Sequence, residues 1–396
     1  MIEAKAYKTK TYFMKRKNAC TEKQWIIALD AGYSGVKIMS PNVVACFPSI
    51  AKRLDDRGFI GRLPDECIRL TDHLTHETWL VGQHAQDTLS DEDTSVSARA
   101  IYNRNRYENP MFKVLVEAGL GIACMKNAFG DPAGKTLYVQ TGLPLEYMED
   151  GTAGAESSSD TDAEMLRSVI SGRHSFSLCI GSDKEVRFDF VINPKHVYTL
   201  SQPRGTLFSV AINNDGNVKP GASELFGKKG LVFDAGFGTL DIFSLKANKT
   251  DGGQTWPDLG MKAVMERTAE GIRKRDGVKI PVPAMQKYLE TGKIRYHKGR
   301  ISKHIDFSDI LEESSKAVCN EAIDRLFTAF PVYEYDYLII TGGTGDAWKE
   351  QIREELAGME TLEIMNGDAN DTLPMIFANV RGFYMYALLR LENGKI

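Results

Sequence analysis

The sequence has no long apolar run. No stretch approaches the roughly 18 consecutive apolar residues that a membrane span needs, and the amino terminus shows no apolar core followed by a small-residue cleavage site. Neither a transmembrane helix nor a secretory signal is expected, and cytoplasmic residence follows as the default. The six cysteines, Cys20, Cys46, Cys67, Cys124, Cys179 and Cys319, stand singly, with no C-x-x-C pair and no histidine at metal-ligand spacing. That excludes the common zinc patterns and favours reduced, buried thiols. The seven histidines show no paired spacing either, so none reads as a metal ligand. A net charge of only −4 is too balanced to make nucleic acid or acidic lipid the main partner. What is present is ordinary globular composition, 42% hydrophobic and 26% charged over 396 residues, enough for two packed domains.

Charge is uneven locally. Ahead of the first strand, Lys5, Lys8, Lys10, Lys15, Arg16, Lys17 and Lys23 stand against only Glu3 and Glu22, so residues 1–24 form a basic leader. Such a segment reads as a solvated, partly flexible arm; its functional alternatives are contact with DNA, lipid or an acidic partner surface, and modulation of assembly.

From Trp25 the chain reads as strand, turn, strand: Trp25 to Leu29 is apolar, Asp30-Ala31-Gly32-Tyr33-Ser34-Gly35 turns, and Val36 to Met39 resumes. Apolar residues at helical spacing predict a helix over 110–126, and a strand over 135–139 then runs into Gln140-Thr141-Gly142-Leu143-Pro144. Residues 149–162, rich in Gly, Ser, Asp and Glu, are expected as an exposed loop. Strands are expected at 186–192 and 197–200, and Gln202-Pro203-Arg204-Gly205 then leads toward a crossing between domains. The opening grammar then returns: Gly230 to Phe233 is apolar, Asp234-Ala235-Gly236-Phe237-Gly238-Thr239 turns, and Leu240-Asp241-Ile242-Phe243 resumes. Helices are expected at 264–274, 283–289 and 310–327. The strand Tyr337 to Ile340 then meets Thr341-Gly342-Gly343-Thr344-Gly345, and a last helix spans about 372–391. The run Tyr333, Tyr335, Tyr337 is expected to pack against the sheet.

A strand ending in Asp-x-Gly before a tight turn exposes backbone N–H groups that can converge on phosphate oxygens, because glycine permits close approach and positive φ. In the first hairpin Asp30 would hold Mg2+ through water, which Mg2+ keeps, and Lys37 could reach the β- and γ-phosphates as a point charge. Taken alone, either hairpin is equally readable as a plain turn. In the second, Asp234, Gly236, Gly238 and Thr239 are the phosphate candidates, with Asp241 close behind. The paired glycines Gly342 and Gly343, with Thr344, leave flat backbone on which an adenine and ribose could lie, or simply turn a strand into a helix.

These three elements, in this order, resemble the phosphate-1, phosphate-2 and adenosine motifs of the actin, heat-shock chaperone and sugar-kinase superfamily. Five segments look most like the bacterial actin-like proteins of the ParM and StbA type: Trp25 to Lys37, Phe47-Pro48-Ser49, Thr78 to Ala85, Thr141 to Leu145, and Phe377 to Phe383. The resemblance implies an α/β, actin-like (ribonuclease H-like) two-domain fold with a nucleotide cleft between the domains. It implies domain I over 25–205 plus 372–396 and domain II over 206–371. It further implies binding of Mg2+ with ATP or GTP by Asp30, Gly32, Tyr33, Ser34, Gly35, Lys37, Asp234, Gly236, Phe237, Gly238, Thr239, Asp241, Gly342, Gly343 and Thr344. By motif position Gln202 would orient the attacking water, and Asp234 would position water and, like Asp30, the metal through water.

The function so implied is a filament-forming nucleoside triphosphatase that adds subunits head to tail and loses them after hydrolysis. Plasmid segregation would then need a DNA-binding adaptor protein, since a chain of this charge is not itself a sequence-specific DNA reader, and no membrane partner is expected. The alternatives are a small-molecule kinase of the same superfamily, and a chaperone-like or scaffold ATPase. The basic leader departs from the family pattern, in which the first strand starts near the amino terminus.

Overall fold

The computed structural model describes residues 4–54, 64–89, 104–148, 161–298 and 300–394. Two compact units divide them: a larger one from Thr9–Leu89, Ala100–Ala222 and Gly367–Ile396, and a smaller one from Ser223–Asn366 with the chain's first residues up to Lys8.

In the larger unit the strands are β1 (Tyr12–Lys15), β2 (Gln24–Ala31), β3 (Gly35–Ser40), β4 (Val43–Pro48), β5 (Ala51–Arg53), β6 (Ile68–Asp72), β7 (Thr78–Val81), β8 (Thr136–Leu143), β9 (Gly172–Ile180), β10 (Val186–Ile192) and β11 (Val197–Ser201). They form a six-stranded sheet in the order β1-β4-β3-β2-β8-β11 and a five-stranded sheet in the order β10-β9-β6-β7-β5. In the six-stranded sheet β2, β8 and β11 run parallel, and β2, β3, β4 and β1 alternate in direction. From its second residue β2 is wholly buried, as expected of a strand covered on both faces.

The helix Pro110–Cys124 lies against this sheet, its start fixed by Asn109, whose side chain accepts from the Met111 N–H, and by proline at its first position. The carboxy-terminal helix Ala378–Glu392, preceded by a 3₁₀ turn at Met375–Phe377, is buried almost all round its first two turns. It crosses the helix Gln202–Ala211 so closely that a Cβ on Gly382 would fall 1.6 Å from the Gly205 carbonyl oxygen.

The smaller unit contains β12 (Gly230–Ala235), β13 (Leu240–Lys246), β14 (Lys249–Trp256), β15 (Lys293–Lys298), β16 (Ile301–Asp306), β17 (Tyr337–Thr341) and β18 (Glu363–Asn366). Its five-stranded sheet has the order β14-β13-β12-β17-β18, with β12, β17 and β18 parallel and β13 and β14 antiparallel to their neighbours. This is the order and direction of β4-β3-β2-β8-β11, so the repeated hairpin grammar of the sequence is a repeated sheet. The helices Met261–Asp276, Val282–Tyr288, Ser308–Ala329 and Gly343–Glu355 also belong to this unit, and β15 pairs with β16 in a separate two-stranded sheet.

Several local expectations change. From Ala4 onward the leader packs on the rest of the chain at several points. Ala4–Tyr7 forms a 3₁₀ turn against the helices Ser308–Ala329 and Gly343–Glu355, and β1 pairs with β4 as an added sixth strand. Arg16 makes a two-pronged ion pair with Asp371, at 3.0 and 2.8 Å, and Asn18 is buried. Apolar Tyr12, Phe13 and Met14 supply the packing that the charges around them hide in the sequence. Tyr335 and Tyr337 are buried as expected, but Tyr333 projects outward at 72% exposure. Five cysteines are buried and Cys20 is exposed. His174 is held by Glu117 Oε1 at 3.1 Å and the Ile170 carbonyl at 2.9 Å. The Gly- and Ser-rich stretch lies outside the described residues as far as 160, where Thr161 caps the helix Asp162–Ile170. The chain stays within the larger unit through Gln202–Ala211 and leaves it only after Ala222. Among the described residues no helix is long and apolar enough to cross a membrane.

Candidate functional site

The first loop lies in the larger unit, where β2 delivers Asp30 and β3 returns Lys37 directly opposite it. Cross-strand partners share a face of the sheet, so carboxylate and ammonium meet, with Lys37 Nζ 3.0 Å from Asp30 Oδ2. Gln202 opens its helix beside them and donates from Nε2 to the other carboxylate oxygen, Asp30 Oδ1, at 3.0 Å. The turn is closed by the Gly32 N–H donating to the Gly35 carbonyl at 3.1 Å. Ser49, just past β4, braces it: its Oγ donates to the Gly32 carbonyl at 2.7 Å and its N–H to the Ser34 carbonyl at 3.0 Å. Among the described residues the amides of Tyr33 and Ser34 donate to no backbone carbonyl. They are therefore the loop's natural anion donors. A Cβ on Gly32 would lie 2.9 Å from Lys37 Nζ, so only glycine lets the ammonium come so near the loop. Behind it, Cys46 is paired with Lys37 across β3 and β4, and burial pushes its thiol up to about 12, so it stays neutral.

The second loop lies in the smaller unit and repeats the first. Asp234 on β12 faces Asp241 on β13, and the Gly236 N–H donates to the Thr239 carbonyl at 2.9 Å. Loop length and closure match, and Asp241 takes the place that Lys37 holds in the first loop. Two carboxylates directly opposite one another repel. Asp241 is compensated by hydroxyls: Thr239 Oγ1 donates to Oδ2 at 2.9 Å and Thr255 Oγ1, on β14, to Oδ1. Asp241 thereby fixes the orientation of Thr239. Phe237 and Gly238 form the half-buried tip. The carbonyls of Gly236 and Phe237 accept from the N–H groups of Met261 and Lys262, at 3.2 and 2.8 Å, where the helix Met261–Asp276 begins. Gly260 permits this, since a Cβ there would sit 2.5 Å from the Phe237 carbonyl oxygen.

The paired-glycine element joins the second loop. Gly342 has φ +85°, which favours glycine, and a Cβ on it would meet the Ala235 carbonyl oxygen at 2.2 Å and Asp234 Oδ1 at 2.8 Å. Gly343 is the first residue of the helix Gly343–Glu355, and Thr344 Oγ1 donates to the Gly236 carbonyl at 2.7 Å. The structure thus gathers Asp30, Lys37 and Gln202 in one unit, and Asp234, Gly236, Thr239, Asp241, Gly342 and Thr344 in the other. The sequence assigned no role to Ser49, Thr255 or Gly260, although Ser49 belongs to one of the segments that carry the resemblance.

The residues present fit a divalent cation that keeps its water. Among the described residues no group of three or more His, Cys, Asp or Glu forms a cage for a metal. Asp30 and Asp234 instead offer single carboxylates at strand ends, beside glycines whose missing Cβ leaves space. A lone carboxylate of that kind, in either unit, suits Mg2+, which binds one or two carboxylates and takes its other ligands from water and phosphate.

Residues 28–205 match the family model described as the actin-like proteins N-terminal domain. A non-polymerisable quadruple mutant of pCBH ParM superposes with a TM-score of 0.68, covering 92% of this chain and 99% of its own at 22% identity. This chain has the actin-like fold. Two further actin-like structures agree. One is a 15-stranded ParM filament from Clostridium botulinum, with TM-score 0.66, 21% identity and coverage of 92% and 99%. The other is an archaeal actin homologue in complex with ADP, with TM-score 0.59, 15% identity and coverage of 91% and 98%. No curated protein matches the chain by sequence. The expected α/β actin-like architecture and the resemblance to ParM-type proteins therefore stand.

Proposed function

We propose that this actin-like chain is a nucleoside triphosphatase that binds Mg-ATP or Mg-GTP through its two Asp-x-Gly loops and the Gly342–Thr344 turn. It polymerises head to tail into nucleotide-dependent filaments, and these segregate plasmid DNA through a DNA-binding adaptor protein. The observation that carries the nucleotide reading is the repeated loop, with equal length, equal glycine closure and equivalent sheet position, each headed by an aspartate. The filament reading is supported by a ParM filament among the structural neighbours. Bound Mg2+ would supply charge neutralisation for the phosphates, with Asp30 and Asp234 holding its water. Gln202, its amide nitrogen committed to Asp30, presents Oε1 as the acceptor for the attacking water. Phosphoryl transfer needs alignment and charge stabilisation more than covalent help, so an uncharged amide suffices.

Light scattering of the purified protein with Mg-ATP, Mg-GTP or a non-hydrolysable analogue, alongside phosphate release, tests the proposal, with Asp234→Ala as control. Scattering that rises and then decays with the hydrolysable nucleotide, and persists with the analogue, is expected. Steady hydrolysis without scattering would replace the filament by the kinase or scaffold reading, and no nucleotide response at all would overturn the proposal. Gln202→Ala is expected to slow phosphate release from assembled protein by roughly 100-fold while leaving the onset of assembly in place. Unchanged release would remove Gln202 from the mechanism.

A further inference from the structure

Arg106 is buried at 5% exposure in the short 3₁₀ turn Arg104–Glu108, just ahead of the helix Pro110–Cys124. Its guanidinium carbon lies 4.4 Å from the centre of the Tyr33 ring, 4.8 Å from that of Phe112 and 5.7 Å from that of Tyr107. Among the described residues Arg106 Nε and Nη1 are buried without a hydrogen-bond partner. Among the described residues no carboxylate forms an ion pair with it. A guanidinium taken out of water with N–H groups unpaired is costly, and stacking on three rings returns only part of that cost. A methionine or leucine would fill the same apolar space more cheaply. The charge is thus poorly explained by the stability of the fold alone.

Its location supplies a reason. Tyr33 is the tip of the first Asp-x-Gly loop, and its amide is one of the two that donate to no backbone carbonyl. We infer that Arg106 is a positioning residue for nucleotide binding: it clamps the Tyr33 ring, so fixing the direction of the Tyr33 and Ser34 amides, and places a permanent positive charge behind a loop that receives phosphate. This rests on the nucleotide reading above and extends it to a residue that no motif marks. The charge acts on an anionic ligand through the loop, without touching it.

The test is a double-mutant cycle on Mg-nucleotide affinity, using a fluorescent non-hydrolysable ATP or GTP analogue at protein concentrations that give no scattering. Arg106→Met keeps the volume and apolar contacts and is expected to weaken binding about tenfold, while the hydrolysis rate at saturating nucleotide changes far less. Arg106→Lys and Tyr33→Phe keep a cation over a ring and are expected to retain most of the affinity. Tyr33→Leu is expected to weaken binding, and Arg106→Met with Tyr33→Leu to be little worse than either alone, because the two act as one clamp. Unchanged affinity in Arg106→Met, or losses that simply multiply in the double variant, overturns the inference while leaving the nucleotide site standing. Failure of the unmodified protein to bind either analogue overturns the nucleotide reading and this inference with it.

Discussion

Asp30→Ala is expected to lower nucleotide-dependent phosphate release by about 100- to 1000-fold, the scale of losing one preorganised charged group from a phosphoryl-transfer site. Asp30 is the hinge of its cluster. One carboxylate oxygen holds Lys37 Nζ at 3.0 Å and the other holds Gln202 Nε2 at 3.0 Å, so its removal breaks at once the contacts that place the cation proposed for the phosphates and the amide proposed for the water. Asp30→Asn separates these effects. It keeps the shape but leaves Lys37, at 12% side-chain exposure, facing a neutral amide, so hydrolysis is expected to fall nearly as far. Phosphate release at saturating nucleotide, with thermal denaturation as a check on folding, decides the matter. Activity within tenfold of the unmodified protein would remove Asp30 from the site.

Arg381→Met is expected to destabilise the larger unit by about 3–5 kcal/mol, the usual cost of breaking a buried ion pair from one side. Arg381, 1% exposed, donates to the carbonyls of Ser209 and Ile212 as the helix Gln202–Ala211 ends, to Asn214 Oδ1 at 2.7 Å and to Asp371 Oδ2 at 3.2 Å. Methionine fills the volume and satisfies none of these acceptors. Burial alone would raise the Asp371 carboxyl, but the hydrogen bond and charge of Arg16, with the charge of Arg381, bring it below the usual carboxylate range. A lowered carboxylate contributes stability that is complete above its unfolded value, about 4, and is lost as pH falls through the lowered folded value. Denaturant titration at neutral pH checks the first effect. Repeating it on acidification is expected to show a smaller pH-dependent loss in Arg381→Met than in the unmodified protein. A variant as stable as its parent would show that the acceptors find water instead.

The hairpins were legible because everything they need is local. An apolar run, an aspartate, a glycine and a returning apolar run fall within one short stretch of chain, and the strand Tyr337–Thr341 and the helix Pro110–Cys124 are as local. What holds the loops in place was not legible, because it comes from elsewhere in the chain. Thr255 reaches Asp241 from β14, whose sequence of Thr, Asp, Gly and Gln carries no apolar alternation. Gly260 reads as an ordinary helix start until the Phe237 carbonyl is seen against it. Arg106 and Arg381 look like surface charges, since no pattern in one sequence tells a solvated arginine from one buried among rings or carbonyls. The repeated hairpin grammar was itself visible in the sequence, whereas β1 went unseen because a strand of four residues needs its partner, β4, to exist.

That added strand has a practical consequence. β4, Val43–Pro48, is buried along its whole length and rich in β-forming side chains, and β1 occupies the row of N–H and C=O groups on its outer side. Deleting the leader would turn that row into an open template for other chains, at a segment without a single charge. Turbidity from such a truncated protein would then grow without nucleotide, through amorphous strand pairing, and its indifference to Mg-ATP and its failure to decay would separate it from nucleotide-dependent polymer.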